Sequence, residues 1–168
     1  MGGAHEHGDK DFTGDGFPDE VEPYSVKPDA WEAKYSGSCH CGAVTFEVKD
    51  DPVASVCCHC TTCQIVHGAT SQRAVLFKKD CVRFPKEAIE HLAFYQTHDK
   101  VRSARLAVIC LANMWLAFPA LFKFGEGAKE PESFQVKNHI FYSQRMLDLE
   151  RKPGVKFWSE AQDKSEEM

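Results

Sequence analysis

Along residues 44–49 apolar Val44, Phe46 and Val48 alternate with polar Thr45, Glu47 and Lys49. A period of two places successive side chains on opposite faces of an extended chain, so the pattern predicts a strand with one face buried. Similar short runs recur: RAVLF at 73–77, CVRF at 81–84, RLAVIC at 105–110, LFKF at 121–124 and HIFY at 139–142. They are rich in β-branched and aromatic residues and bounded by polar connections. Helical signal is thin, and KEAIEHLAFY near 86–95 is the segment that predicts a helix. The expected class is mainly β, a small sandwich of short antiparallel strands.

The apolar stretch 106–122, LAVICLANMWLAFPALF, reaches the lower bound of a membrane-spanning length. Its alanines, Asn113 and Pro119 break it up, and a strand, a turn and a second strand account for it, so no membrane span is expected. The first twenty residues carry neither a basic nor an apolar stretch of the kind that directs export, which predicts a reducing, cytoplasmic setting. Residues 1–34 read as an acidic, irregular arm punctuated by Pro18, Pro23 and Pro28, residues 35–158 as one folded domain, and 159–168 as a charged tail. Within the arm, Asp9, Asp11, Thr13, Gly14 and Glu20 approach a calcium-loop register. Thr13 in place of an Asp or Asn, Pro18 and the lack of flanking helical periodicity favour a plain acidic arm.

Charge narrows the function. The formal net charge is -5, which argues against nucleic-acid binding. The distribution is uneven, with 3 basic against 9 acidic residues in 1–34 and 8 against 4 in 73–105. A basic middle suits a small anionic substrate, with Arg73, Lys78 and Lys79 as candidate partners for its carboxylates.

The chemistry lies in the 8 cysteines. Cys57, Cys58, Cys60 and Cys63 crowd into SVCCHCTTCQIVHG at 55–68. Neighbours this close cannot bridge one another without strain, so metal ligation is the leading reading, with disulfides to distant partners and packed thiols as the alternatives. In an extended backbone, Cys39 and Cys41 of GSCHCG point to one side. Cys58 and Cys60 do the same while Cys57 faces away, and a turn at Thr61–Thr62 brings Cys63 round to Cys58 and Cys60. Three thiolates leave one position of a zinc ion for water or substrate, as in a catalytic site. His59, His67, His98 and Tyr95 are the titratable groups available for proton transfer, and His59 and His67 are the catalytic candidates. Cys81 is expected in the core.

Three segments together resemble the glutathione-dependent formaldehyde-activating enzyme family: GSCHCGAVTFEV, CHCTTC and NHIFYSQRMLDLERKPGVKFW, spanning residues 35–158. The resemblance implies an Mss4-like (β-tent) zinc fold, a catalytic zinc on Cys58, Cys60 and Cys63, and a structural zinc held in part by Cys39, Cys41 and Cys110. The resemblance breaks at Asn113, where the family has the second cysteine of a later Cys-x-x-Cys-Gly. Asparagine is a poor partner for zinc beside thiolates, so the structural site is expected to be weak or empty. The resemblance further implies a carbon–sulfur lyase type of reaction on a glutathione–aldehyde adduct. A soft zinc held by three thiolates suits a substrate thiol better than it suits water activation. Two other readings stay open: a divergent enzyme that acts on another small molecule by dehydration, isomerisation or addition, and a non-catalytic zinc-stabilised binding module.

Overall fold

The computed structural model describes residues 32–89, 91, 94–98, 101–104, 108–111, 114–125, 127 and 129–168, with only the backbone described at 86, 89, 94–98, 101–104 and 108–111. The acidic arm and Asn113 therefore fall outside the described residues, apart from the last three positions of the arm, 32–34.

The strands in chain order are β1 (Tyr35–Ser38), β2 (Thr45–Val48), β3 (Ala54–Cys58), β4 (Gln72–Lys78), β5 (Val82–Arg83), β6 (Phe94–His98), β7 (Val101–Ala104), β8 (Val108–Leu111), β9 (Met114–Ala117), β10 (Phe122–Lys123), β11 (Asn138–Ile140) and β12 (Lys156–Phe157). Two short helices, α1 (Thr61–His67) and α2 (Lys86–Ile89), complete the main elements, and the described chain is mainly β. One sheet has four strands in the order β10-β1-β2-β5, and the other eight in the order β12-β11-β3-β4-β9-β8-β7-β6.

The alternation read at 44–49 becomes β2, whose Phe46 and Val48 enter the space between the sheets together with Val44. From the larger sheet, Val75 and Phe77 of β4 and Trp115 and Ala117 of β9 meet them there. The intervening residues Ala74 and Leu116 turn to the other face of the larger sheet and pack with Val56 of β3 and with Phe118. The middle of that sheet is thus buried on both sides, which is why RAVLF is apolar over consecutive positions. Within the smaller sheet, Gly37 of β1 lies under the ring of its cross-strand partner Phe46, and a Cβ there would stand 2.2 Å from that ring and 2.7 Å from the Leu121 carbonyl oxygen.

Three expectations change. The helix at 86–95 stops at Ile89, and by Phe94 the chain is in β6, which pairs antiparallel with β7. Cross-strand pairing overrides the weak helical pattern there. The strands are not all antiparallel, since β11 runs parallel to both β3 and β12. The connection from β3 to β11 spans most of the domain, long enough for the crossover that a parallel pair requires. HIFY keeps its strand only to Ile140; Phe141 takes a left-handed backbone with φ 55°, and Tyr142–Gln144 form a 3-10 turn. The apolar run 106–122 contains β8 and β9, as expected of a strand, turn and strand. No helix among the described residues is long and apolar enough to cross a membrane.

Candidate metal centre

The larger sheet delivers the cysteine cluster. Strand β3 ends at Cys58, the chain stays extended through Cys60 (φ -68°, ψ 148°), and α1 starts at Thr61. Cys60 caps this helix, its sulfur accepting from the Cys63 backbone N–H at 3.4 Å. Gly68, in the left-handed region with φ 58°, ends it. The expected turn at Thr61–Thr62 is therefore the first turn of a helix, and it brings Cys63 to Cys58 and Cys60. The three sulfurs lie within 4.8 Å of one another.

The 3-10 turn after β11 secures this arrangement. Gln144 Oε1 accepts from Thr61 N at 2.9 Å and from Thr61 Oγ1 at 3.1 Å, filling an open donor at the start of α1. In return Gln64 Nε2 donates to the His59 carbonyl at 2.6 Å and the Gln144 carbonyl at 2.9 Å.

Three thiols this close cannot all ionise unaided. Hydrogen bonds from Cys58 and Cys63 hold Cys60 far below the usual thiol range. Cys58 is driven far above it by its bonds to Cys60 and Cys63 and by burial. Cys63 accepts from Cys58, yet its bond to Cys60 and its burial push it up to about 11. Ionising all three thiols together is therefore costly. A dication removes that repulsion, and an all-sulfur donor set of this size fits Zn²⁺.

His67 follows Cys63 by one helical turn on the same side of α1. Burial lowers its pKa, the nearby Cys60 charge pulls it partly back, and its ring stands edge-on to Phe118 at 4.9 Å. Its Nε2 is buried without a hydrogen-bond partner.

His59 is turned elsewhere. Val56 and Cys58 leave β3 on one face, and Ser55, Cys57 and His59 on the other. On that second face the donor atoms of Cys57, His59 and His139 also lie within 4.8 Å of one another. His139 in β11 is the register partner of Cys57, and its Nδ1 sits 2.9 Å from His59 Nε2. The His139 ring stacks on Phe157 at 4.5 Å, and Tyr142 stands edge-on to His59 at 5.0 Å. Burial, with the neighbouring His139 and Arg145, lowers the His59 pKa to about 4; burial lowers His139 as well.

The other candidates are placed as follows. The chain turns at Cys39–Gly42 instead of staying extended, with Gly42 N donating to the Cys39 carbonyl at 3.0 Å, and the Cys39 and Cys41 sulfurs meet at 3.3 Å. The Val44 N–H donated to the Cys39 sulfur lowers that thiol's pKa. Cys110 lies in β8 opposite Trp115 of β9, and its side chain, like those of His98 and Tyr95, falls outside the described residues. Cys81 is in the core as expected, and burial and Asp50 raise it to about 12. Arg73 pairs with Glu130 at 2.5 Å, Lys78 is exposed and Lys79 is buried. A cavity of about 350 Å³ lies beside Arg73 and His139, with Lys152 and Glu150 also in its wall.

Gln64 lies outside the three segments that carry the family resemblance, and His139 and Gln144, although inside the closing segment NHIFYSQRMLDLERKPGVKFW, are given no role by sequence reasoning. The alternation of β3 already puts Cys57 and His59 on one face, but their parallel neighbour shows only in the fold.

A model of the glutathione-dependent formaldehyde-activating enzyme family matches residues 34–144. No curated protein matches the chain. Among solved structures, a crystal structure of a Rhodobacter sphaeroides protein is similar, at 20% identity and a TM-score of 0.43, over 60% of this chain and 96% of that one.

Proposed function

Because the chain belongs to the glutathione-dependent formaldehyde-activating enzyme family, we propose that it is a zinc-dependent enzyme making or breaking the carbon–sulfur bond between a thiol such as glutathione and an aldehyde. The observation that carries this reading is the trio of sulfurs from Cys58, Cys60 and Cys63 within 4.8 Å, with no fourth protein donor in the group among the described residues. Zinc held there supplies a soft, open coordination position suited to the sulfur of a substrate thiol.

In the forward direction the thiol sulfur adds to the carbonyl carbon, the carbonyl electron pair moves to oxygen, and the thiol proton ends on that oxygen. His67 is the group assigned to move the proton. Its low pKa leaves it neutral near pH 7, and its partnerless Nε2 can accept a proton and return it. Gln144 and Gln64 hold the start of α1, and with it Cys60 and Cys63, in register with Cys58. A thiol-rich site also suits a cytoplasmic setting, where thiols stay reduced.

The test is exchange of formaldehyde with glutathione, followed by NMR line exchange, for the zinc-loaded chain and for chain stripped by a chelator. Acceleration that disappears on stripping and returns with zinc is expected. Exchange no faster than the uncatalysed reaction with zinc bound at this cluster overturns the reading.

A further inference from the structure

We propose that Cys57, His59 and His139 form a second metal site, a mixed sulfur and nitrogen centre for a zinc-like divalent cation on the face of β3 opposite the Cys58–Cys60–Cys63 cluster. The inference does not rest on the thiol–aldehyde activity. Three independent features of the fold converge on it.

The first is register. Cys57 and His59 are two residues apart in an extended chain and so share a face, and the parallel pairing of β11 with β3 puts His139 directly beside Cys57. No loop has to move to gather these donors. The second is donor chemistry and spacing. One thiol and two imidazoles form a donor set that zinc and its first-row neighbours favour, and all three atoms fall within 4.8 Å. The 2.9 Å between His59 Nε2 and His139 Nδ1 means that both nitrogens aim at one small volume, which at present holds one bridging proton. A dication replaces that proton. Each imidazole then keeps its N–H on the remote nitrogen, the Cys57 thiol gives its proton to solvent, and about one proton is released per ion bound.

The third is preorganisation. Cys57 and His59 are only 5% and 2% exposed, the His139 ring is fixed by its stack on Phe157, and His59 is fixed by Tyr142. Rings held this way lose little freedom on ligation. Three protein donors leave one position to fill. His139 also lines the 350 Å³ cavity, and Arg73, register partner of Cys57 on its other side, lines it too with Lys152. Water or a small carboxylate entering that cavity is the natural fourth ligand.

The sulfur groups at Cys39–Cys41 and at Cys58–Cys60–Cys63 offer no imidazole within the cluster, so nitrogen in the metal shell is the signature. The full-length chain is stripped, reduced and titrated anaerobically with Co²⁺, and X-ray absorption is recorded at the cobalt edge, for wild type, Cys57→Ala and His139→Gln. Imidazole scattering in wild type, and loss of one metal equivalent or at least ~100-fold weaker binding of it in both variants with unchanged circular dichroism, is the expected result. Sulfur-only coordination in wild type overturns the proposal, whether or not the variants fold. Imidazole scattering that survives undiminished in a His59→Gln/His139→Gln double variant overturns it too, because it would then come from another histidine such as His67.

Discussion

Cys57 and Cys58 are bonded neighbours in β3, and their sulfurs belong to different donor clusters, one with two histidines and one with two further cysteines. The pleat of a single strand is enough to separate them. Shifting the β3 register by one residue would exchange the two faces and dismantle both groups, so the pairing of β3 with β4 and β11 sets the chemistry on either side.

Cys60→Ser removes one of the three sulfurs proposed to hold zinc, while its hydroxyl can still accept the N–H that caps α1. Zinc binding should weaken by at least ~100-fold, and turnover of a glutathione–formaldehyde adduct should fall in step. Metal analysis of the purified variant beside the exchange assay checks this, and full turnover by a zinc-free variant would contradict it.

Gln144→Ala leaves two donors of Thr61 without their acceptor. A loss of about 1 kcal/mol in unfolding free energy is expected, together with faster loss of metal to a chelator. Denaturant melts and chelation kinetics read the two effects separately.

Gly37→Ala places a methyl group against the Phe46 ring and the Leu121 carbonyl. Because the neighbours include backbone, the core must shift, and a cost of about 1–3 kcal/mol is expected from overpacking. A denaturation midpoint equal to wild type would show that the Phe46 ring does not cover Gly37.

Asp51 accepts from Lys34, Tyr35 and Ser133, and these bonds, the Lys34 bond foremost, lower its pKa. A lowered carboxylate contributes stability that is present above its unfolded value of about 3.9 and is lost as pH falls toward the folded value. Asp51→Asn should therefore be slightly less stable than wild type at pH 7, with a smaller difference at pH 3. The group is half exposed, so the difference at pH 7 is small. Thermal melts at both pH values decide it.

The strand positions were largely legible because each buried face leaves a period of two, as at Val44, Phe46 and Val48. The cysteine trio was legible from spacing alone, since its members lie within six residues and local backbone fixes their meeting. Gathering by α1 in place of a turn was not, because the helix depends on Gln144 from far along the chain. The same reason hides His139 and the direction of β11, which are set by tertiary pairing. His59, grouped by sequence with the cysteine trio, faces the other way for the simple reason that odd and even positions of a strand diverge. His67 keeps its place one turn from Cys63.

The pairing of β3 with β11 also sets a timetable for the growing chain. The thiols of Cys58, Cys60 and Cys63 are close neighbours along the backbone and become available together early in synthesis. The contact between His59 and His139 spans 80 residues and must wait for the C-terminal strands to be made and to dock. On this ordering the sulfur trio is open to metal on a nascent chain, whereas the sulfur–imidazole group exists only once the sheet has closed around it, and so reports that folding is complete.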